Sequence, residues 1–441
     1  MRADRSVLFN LSATAIAETG TKAAQFAAVV LIARALGPAD FGIVGAAWAL
    51  FQLALPVVQG APELVGIRNL SADRAGGMRW VSAITAMKMA LAIAAVGGLA
   101  IYAMLVYGPR SHATAQIVIQ ALVLLSVAAS PAWAARSFQR TDLYASPRLL
   151  QAFLFVALVG GALALWPAPL AVPVADVIAW TVATVCAFRF LRPVLPALTL
   201  RRALAVLVDL PQARAAMAGN GRETFHFAAS GIASAAIWWV PVLLAEGWFG
   251  AAAGGNVAAA VRLVLIALVA IQLCLQVFLP VLSKYHETDR EKFRALVAAL
   301  AFYSTLAPCA VALAIAVLAG PLAHLVFGPG FESSVPLIVI FAAALVPLGT
   351  GSAYGYALIA ANRSSVFFRV SVAGSVAILA GQFAGVAVTG SPEGLVWGLP
   401  CLVLKTLALA VYAHGGGLVG GGIFSLRRLA PRNIMLFLME R

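Results

Sequence analysis

Charge is scarce in this sequence. Asp, Glu, Lys and Arg make up only 10% of its 441 residues, against about 25% in ordinary soluble chains. So little charge cannot keep a 63% hydrophobic chain dispersed in water, which excludes a string of soluble domains. Cysteine is rare too. Cys186, Cys274, Cys309 and Cys401 each stand alone in an apolar run. No pair has redox or zinc spacing, and they read as small hydrophobes in helices. There is neither a Walker A sequence nor a G-x-G-x-x-G on a strand–helix turn, so nothing points to ATP hydrolysis. No carboxylate pair or nucleophile–base arrangement stands out, and His226, His324 and His414 are scattered singly. No catalytic residue, metal site or cofactor is therefore expected. The longest outward segment, about residues 319–334, could not hold a folded catalytic domain.

What is present is apolar length. Mean hydropathy is +0.97. Stretches long enough to span a bilayer fall at roughly 12–35, 41–65, 80–107, 114–136, 148–166, 173–192, 221–245, 253–283, 293–318, 335–361, 367–389 and 394–421. In lipid the backbone must satisfy itself, so these are read as helices. The first shows no cleavage site after Met1-Arg2-Ala3-Asp4-Arg5 and is expected to be retained. The fold class is an all-α integral membrane protein of about twelve transmembrane helices in two six-helix bundles. With the N-terminus in the cytoplasm, 24 of the 30 Lys and Arg fall in cytoplasmic segments, 2 outside (Arg34 and Arg110) and 4 within spans. That is the positive-inside pattern. It predicts both termini in the cytoplasm, and it reads the net charge of +14 as topology and headgroup contact, not a nucleic-acid footprint.

A loop with six Arg divides the chain. In it Leu200, Leu204 and Leu207, flanked by Arg201 and Arg202, predict an amphipathic helix on the membrane surface. The expected organisation is an N-terminal bundle over 1–192, a cytoplasmic amphipathic linker over 193–220, a C-terminal bundle over 221–421 and a cytoplasmic tail over 422–441. The halves look related. Gly37 and Gly42 match Gly250 and Gly255, and Gln139-Arg140 matches Asn362-Arg363. Such repeats are a common scaffold of alternating-access transporters, with the site between them.

Charges inside spans carry the functional signal, because each central Lys or Arg costs about 2.5–3.5 kcal/mol. Thr14, Glu18, Thr21, Lys22 and Gln25 form one helical stripe. Lys88 follows Ser82 and Thr85; Arg262 is followed by Gln272 and Gln276; Lys405 sits midway along the last span. Glu63 and Asp176 fall near span ends and are read as not deep. Four deep bases against one deep acid, Glu18, suggest a wet cationic cavity favouring an anionic substrate. Pro56, Pro62, Pro241 and Pro280 are candidate bend points.

Four motifs then resemble a known family, in order and over nearly the whole chain. Ala33-Arg34-Ala35-Leu36-Gly37-Pro38-Ala39-Asp40-Phe41-Gly42 resembles the first-loop signature of the polysaccharide transporter (Wzx-type flippase) family. Gly254-Gly255-Asn256-Val257-Ala258-Ala259-Ala260-Val261-Arg262, Phe327-Gly328-Pro329-Gly330-Phe331 and Ala361-Asn362-Arg363 resemble its later motifs. The resemblance implies the multidrug/oligosaccharidyl-lipid/polysaccharide exporter fold. It also implies transfer of an undecaprenyl-diphosphate-linked oligosaccharide from the cytoplasmic to the periplasmic leaflet of the bacterial inner membrane. On that reading Lys22, Lys88, Arg262 and Lys405 bind the diphosphate, while Glu18 tunes Lys22 or takes part in ion coupling. Expected partners are membrane lipids, the anionic lipid-linked cargo and glycan polymerase or assembly proteins. One departure stands out. Many relatives hold a mid-membrane Asp in span seven where this chain has Trp238-Trp239-Val240-Pro241. The alternatives are a drug/cation antiporter of the same fold, and a membrane glycan polymerase or ligase.

Overall fold

A computed structural model describes residues 2–74, 76–195 and 210–419, with side chains for all of these except 2–18, 210–220, 222, 223, 273, 276 and 280. The amphipathic linker around Leu200–Leu207 and the tail from 422 lie outside the described residues, as does the Glu18 side chain. The elements are α1 (Arg2–Leu55), α2 (Ala61–Ala72), α3 (Gly77–Tyr107), α4 (His112–Ala129), α5 (Thr141–Leu165) and α6 (Ala171–Phe190). Then come α7 (Leu210–Phe249), α8 (Ala251–Gln276), α9 (Leu279–Thr288), α10 (Arg290–Val317) and α11 (Ser334–Ala343). The chain ends in α12 (Leu345–Ala360), α13 (Ser364–Thr389) and α14 (Gly398–Gly415).

Among the described residues, eleven helical stretches are long and apolar enough to cross a membrane. The first of them runs from Thr19 to Ala72, and it holds two crossings. Gly37 breaks α1 with φ 71° and ψ 177°, a conformation open to glycine. Pro38 favours the break, because the residue before proline disfavours helical angles. The expected twelve crossings follow. Large apolar side chains such as Leu105, Leu165, Leu313 and Val411 point outward and are exposed, as a lipid-facing surface requires.

The repeat read from Gly37/Gly250 and Gln139/Asn362 reappears as backbone geometry. Gly37 and Gly250 both have positive φ, as do Gly108 and Gly328, and Gln139 and Asn362 share a φ of 58°. The last pair makes equivalent helix-ending turns. Arg140 N–H donates to the Ala135 carbonyl at 3.0 Å, and Arg363 N–H to the Leu358 carbonyl at 2.8 Å. Each satisfies a carbonyl the helix end would otherwise leave orphaned. Of the four prolines read as bends, Pro56 opens a π-helical turn, Pro62 and Pro280 stand at helix starts, and α7 continues through Pro241.

Contacts divide the chain into two compact units, 1–235 with 250–255, and 236–249 with 256–441. In the first unit α1 lies along α4 and α5, α3 along α4, and α6 against α4 and α5. Its core joins Val65, Leu70, Ile84, Met87 and Trp133 in one cluster and Phe51, Val58, Val123 and Leu124 in another. In the second unit α10 packs on α11 and α12, and α14 on α12 and α13. Leu282, Tyr285, Phe293, Leu296 and Leu358 fill its core.

The turn between α2 and α3 is tied by Asp73. Gly76 N–H donates to its carboxylate at 2.9 Å, the Trp80 indole at 3.2 Å and the Arg79 guanidinium at 3.1 Å. These bonds, that from Gly76 foremost, hold the Asp73 carboxyl below its ordinary range. A depressed carboxyl stabilises the fold above the usual carboxylate pKa, and the contribution is lost as pH falls through the lowered value. At neutral pH, Asp73→Ala is expected to make residues 73–76 a protease site. Limited proteolysis of reconstituted protein reads this out; identical cleavage of both proteins would mean the turn holds without the carboxylate.

Candidate functional site

The charges within spans divide between the two units. In the first, Lys88 on α3 is fully buried, and Glu63 on α2 is 7% exposed. Lys88 Nζ donates to Glu63 Oε1 at 2.7 Å and to the Ser130 carbonyl at 3.3 Å. This corrects the reading of Glu63 as a span-end residue. The second span was placed at about 41–65, but α2 continues to Ala72, nine residues beyond Glu63. Lys88 lies eleven residues past the start of α3 at Gly77. At 1.5 Å per residue the two sit at similar depth on adjacent antiparallel helices. Lys88 is therefore not a bare cation. Its charge is committed to an acid of its own unit, and the balance of four deep bases to one deep acid does not hold.

The pair borders a pocket lined by Gln59, Glu63, Trp133, Tyr144, Arg148 and Trp180. Arg148 donates to the Tyr144 hydroxyl at 3.0 Å and lies 5.3 Å from its ring centre. The Trp133 indole N–H is buried without a hydrogen-bond partner.

Lys22 on α1 is half-buried and donates to Gln25 Oε1 at 3.3 Å. Thr21 beside it is buried, so the described part of the predicted stripe does face protein. In the second unit Arg262 on α8 is half-buried, its guanidinium 5.6 Å from the Trp239 ring centre on α7. Trp239, of the Trp238-Trp239 pair, gives Arg262 a cation–π partner. Lys405 on α14 is half-buried, and its stem packs on Gly374 of α13, where a Cβ would come within 2.6 Å of Lys405 Cγ. Among the described residues Lys405 makes no ion pair or hydrogen bond. Lys22 and Lys88 belong to the first unit, Arg262 and Lys405 to the second.

A second polar cluster escaped the sequence reading. Gln120 on α4 donates to Asp176 Oδ2 at 2.8 Å, and Gln151 on α5 donates to Oδ1 at 3.1 Å. Asp176 on α6 is 6% exposed; the sequence places it near a span end and reads it as not deep. The available signal was two Gln four residues apart on an apolar helix, Gln116 and Gln120.

The chain is a multi-pass helical protein with a π turn at Pro56 and a break at Gly37. Solved structures share this fold. The lipid II flippase MurJ in an inward closed conformation is similar with a TM-score of 0.68 at 13% identity, over 97% of this chain and 92% of that one. An inward-facing multidrug resistance MATE transporter gives 0.65 at 14% identity, over 93% and 96%. A superfamily transporter from Pyrococcus furiosus gives 0.59 at 14%, over 93% and 94%. The chain matches no curated protein sequence. The family described as polysaccharide biosynthesis protein matches residues 7–286, and the chain belongs to it.

Proposed function

We propose that this protein is a flippase. It carries an undecaprenyl-diphosphate-linked oligosaccharide across the bacterial inner membrane by alternating access, forming and breaking no covalent bond. The observation that carries the reading is the family match over 7–286. The likeness to a lipid II flippase in fold and the 24-to-2 distribution of Lys and Arg, the positive-inside pattern, support it. The proposed diphosphate contacts are Lys22, Arg262 and Lys405. Arg offers the paired donors that suit phosphate, and Lys offers a point charge. Lys88 could join only by releasing Glu63, so its first role is to hold α2 and α3 together. Glu18 remains the proposed modulator of Lys22 or of ion coupling.

The test is complementation of a flippase-null strain. Arg262→Ala and Lys405→Ala are each expected to lower exported polysaccharide about ten-fold or more, the effect of one lost charged contact. Normal export by both variants, at normal membrane abundance, would remove the cationic contacts from the mechanism. A second reading, a drug/cation antiporter, is favoured by the TM-score of 0.65 to the MATE transporter. It predicts raised drug tolerance and no rescue of export in the same strain.

A further inference from the structure

Where the first unit meets the pocket beside Lys88 and Glu63, its cations rest on aromatic rings and not on acids. Tyr144 has two guanidiniums against it. Arg136 lies 4.6 Å from its ring centre and Arg148 5.3 Å, and Arg148 also donates to the hydroxyl at 3.0 Å. Arg74 lies 5.9 Å from the ring centre of Phe138, in the same turn between α4 and α5. A ring attracts a cation without cancelling its charge. The acids nearby are bonded to other bases: Glu63 to Lys88, Asp73 to Arg79 and Asp142 to Arg140. Among the described residues neither Arg74 nor Arg136 makes an ion pair. The pocket wall adds a further donor. Trp133 is 1% exposed, and its ring is packed so closely on α2 that a Cβ at Gly66 would come within 2.8 Å of it. Its indole N–H has no hydrogen-bond partner. A buried donor left unpaired is costly and calls for an acceptor.

We propose that Arg136, Arg148 and Trp133, gathered around Tyr144, bind the phosphate of an anionic phospholipid headgroup. The local surplus of charge is positive, which sets the sign of the ligand. A guanidinium offers paired N–H groups to two phosphate oxygens, and the indole donates and cannot accept. Basic pockets between membrane helices on the cytoplasmic side are suited to anionic headgroups, and the distribution of Lys and Arg assigns this end of the unit to that side. Free phosphate carries the same charge, but the flank of the pocket favours a lipid. Trp180 and Thr184 line it from α6, and Ile178, Val182 and Val185 of the same helix are exposed, an apolar track for acyl chains. A lipid seated there would brace the α4–α5 turn against α6. The assignment does not depend on the glycan cargo, because the site lies within one unit and its occupant stays in its own leaflet.

The experiment uses delipidated full-length protein in a neutral detergent. Native mass spectrometry counts bound lipid during titration with phosphatidylglycerol or with phosphatidylcholine of the same chains. Phosphatidylglycerol is expected to bind on the order of ten-fold more tightly. Arg136→Gln/Arg148→Gln should lose that preference. Trp133→Phe keeps the ring without the N–H, and should weaken phosphatidylglycerol binding about five-fold while phosphatidylcholine binding stays the same. Arg369→Gln, which removes an exposed charge from the second unit, should change neither. Arg136 is also exposed, so Arg136→Gln alone decides the matter if the double variant folds poorly; it should weaken phosphatidylglycerol about five-fold. Equal binding of the two lipids by the wild type overturns the site. So does an Arg369→Gln protein weakened as much as Arg136→Gln, since the preference is then general surface charge. Displacement of phosphatidylglycerol by equimolar inorganic phosphate or pyrophosphate overturns the lipid assignment, the pocket then taking a free anion.

Discussion

Lys88→Met is expected to destabilise the protein by about 3–5 kcal/mol, because it leaves the Glu63 carboxylate buried without its counter-charge. Met fills much of the same volume, so the loss would be electrostatic and not a cavity effect. Glu63→Gln keeps an acceptor for the ammonium and should cost less than Lys88→Met. The double variant Lys88→Met/Glu63→Leu removes both charges, and should recover most of the stability lost by the single change. Unfolding midpoints and the yield of monodisperse protein from membranes measure all three. If the double variant is as damaged as the sum of the singles, the 2.7 Å contact carries little coupling. The outcome also bears on transport: full export by the neutral double variant would show that Lys88 acts in structure and not on cargo.

Gly42→Leu and Gly255→Leu are expected to abolish folding, each costing about 3 kcal/mol or more, the upper range for overpacking. A Cβ at Gly42 would overlap the Ala251 carbonyl, and one at Gly255 would overlap the Pro38 carbonyl. Both obstacles are backbone and cannot rotate away. The two glycines let the second leg of α1 and the start of α8 meet at backbone distance, the use membrane helices make of small residues. Gly97→Ala and Gly98→Ala provide the controls. Nothing lies within 4 Å of a Cβ at either position, so these changes should be neutral or raise stability by about 0.5–1 kcal/mol through helix propensity. Fluorescence-detected size exclusion reads out folding of all four. Well-folded Gly42→Leu protein would refute the close crossing.

The spans and their breaks were legible because they follow from local chemistry. Gly37-Pro38 announces a non-helical step from two residues, and apolar length announces each crossing. Gly37/Gly250 and Gln139/Asn362 could be paired by spacing alone because a left-handed turn leaves a sequence mark. The charge pairing was not legible. Placing Glu63 near the end of the second span assumed that the helix stops when hydropathy falls at Ile67-Arg68-Asn69, whereas α2 continues through those residues to Ala72. A helix is held by its own hydrogen bonds and can project beyond its apolar stretch, so a hydropathy boundary underestimates depth. Asp176 was missed for a different reason, since it does lie near the start of α6. Its partners come from helices 56 and 25 residues away in the chain, a proximity that only packing reveals. Arg262 differs again: Trp239 could be seen in sequence as a missing acid, but not as the face against which the guanidinium lies.

The Lys88–Glu63 contact has a consequence for how the chain is made. The acid is synthesised first, and the base follows 25 residues later on the next segment to leave the ribosome. α2 and α3 can therefore leave the translocon as a hairpin whose two deep charges already neutralise each other, before any later helix exists. An insertion lengthening the short link from Asp73 to Gly76 would separate those two events, and biogenesis would suffer before transport did.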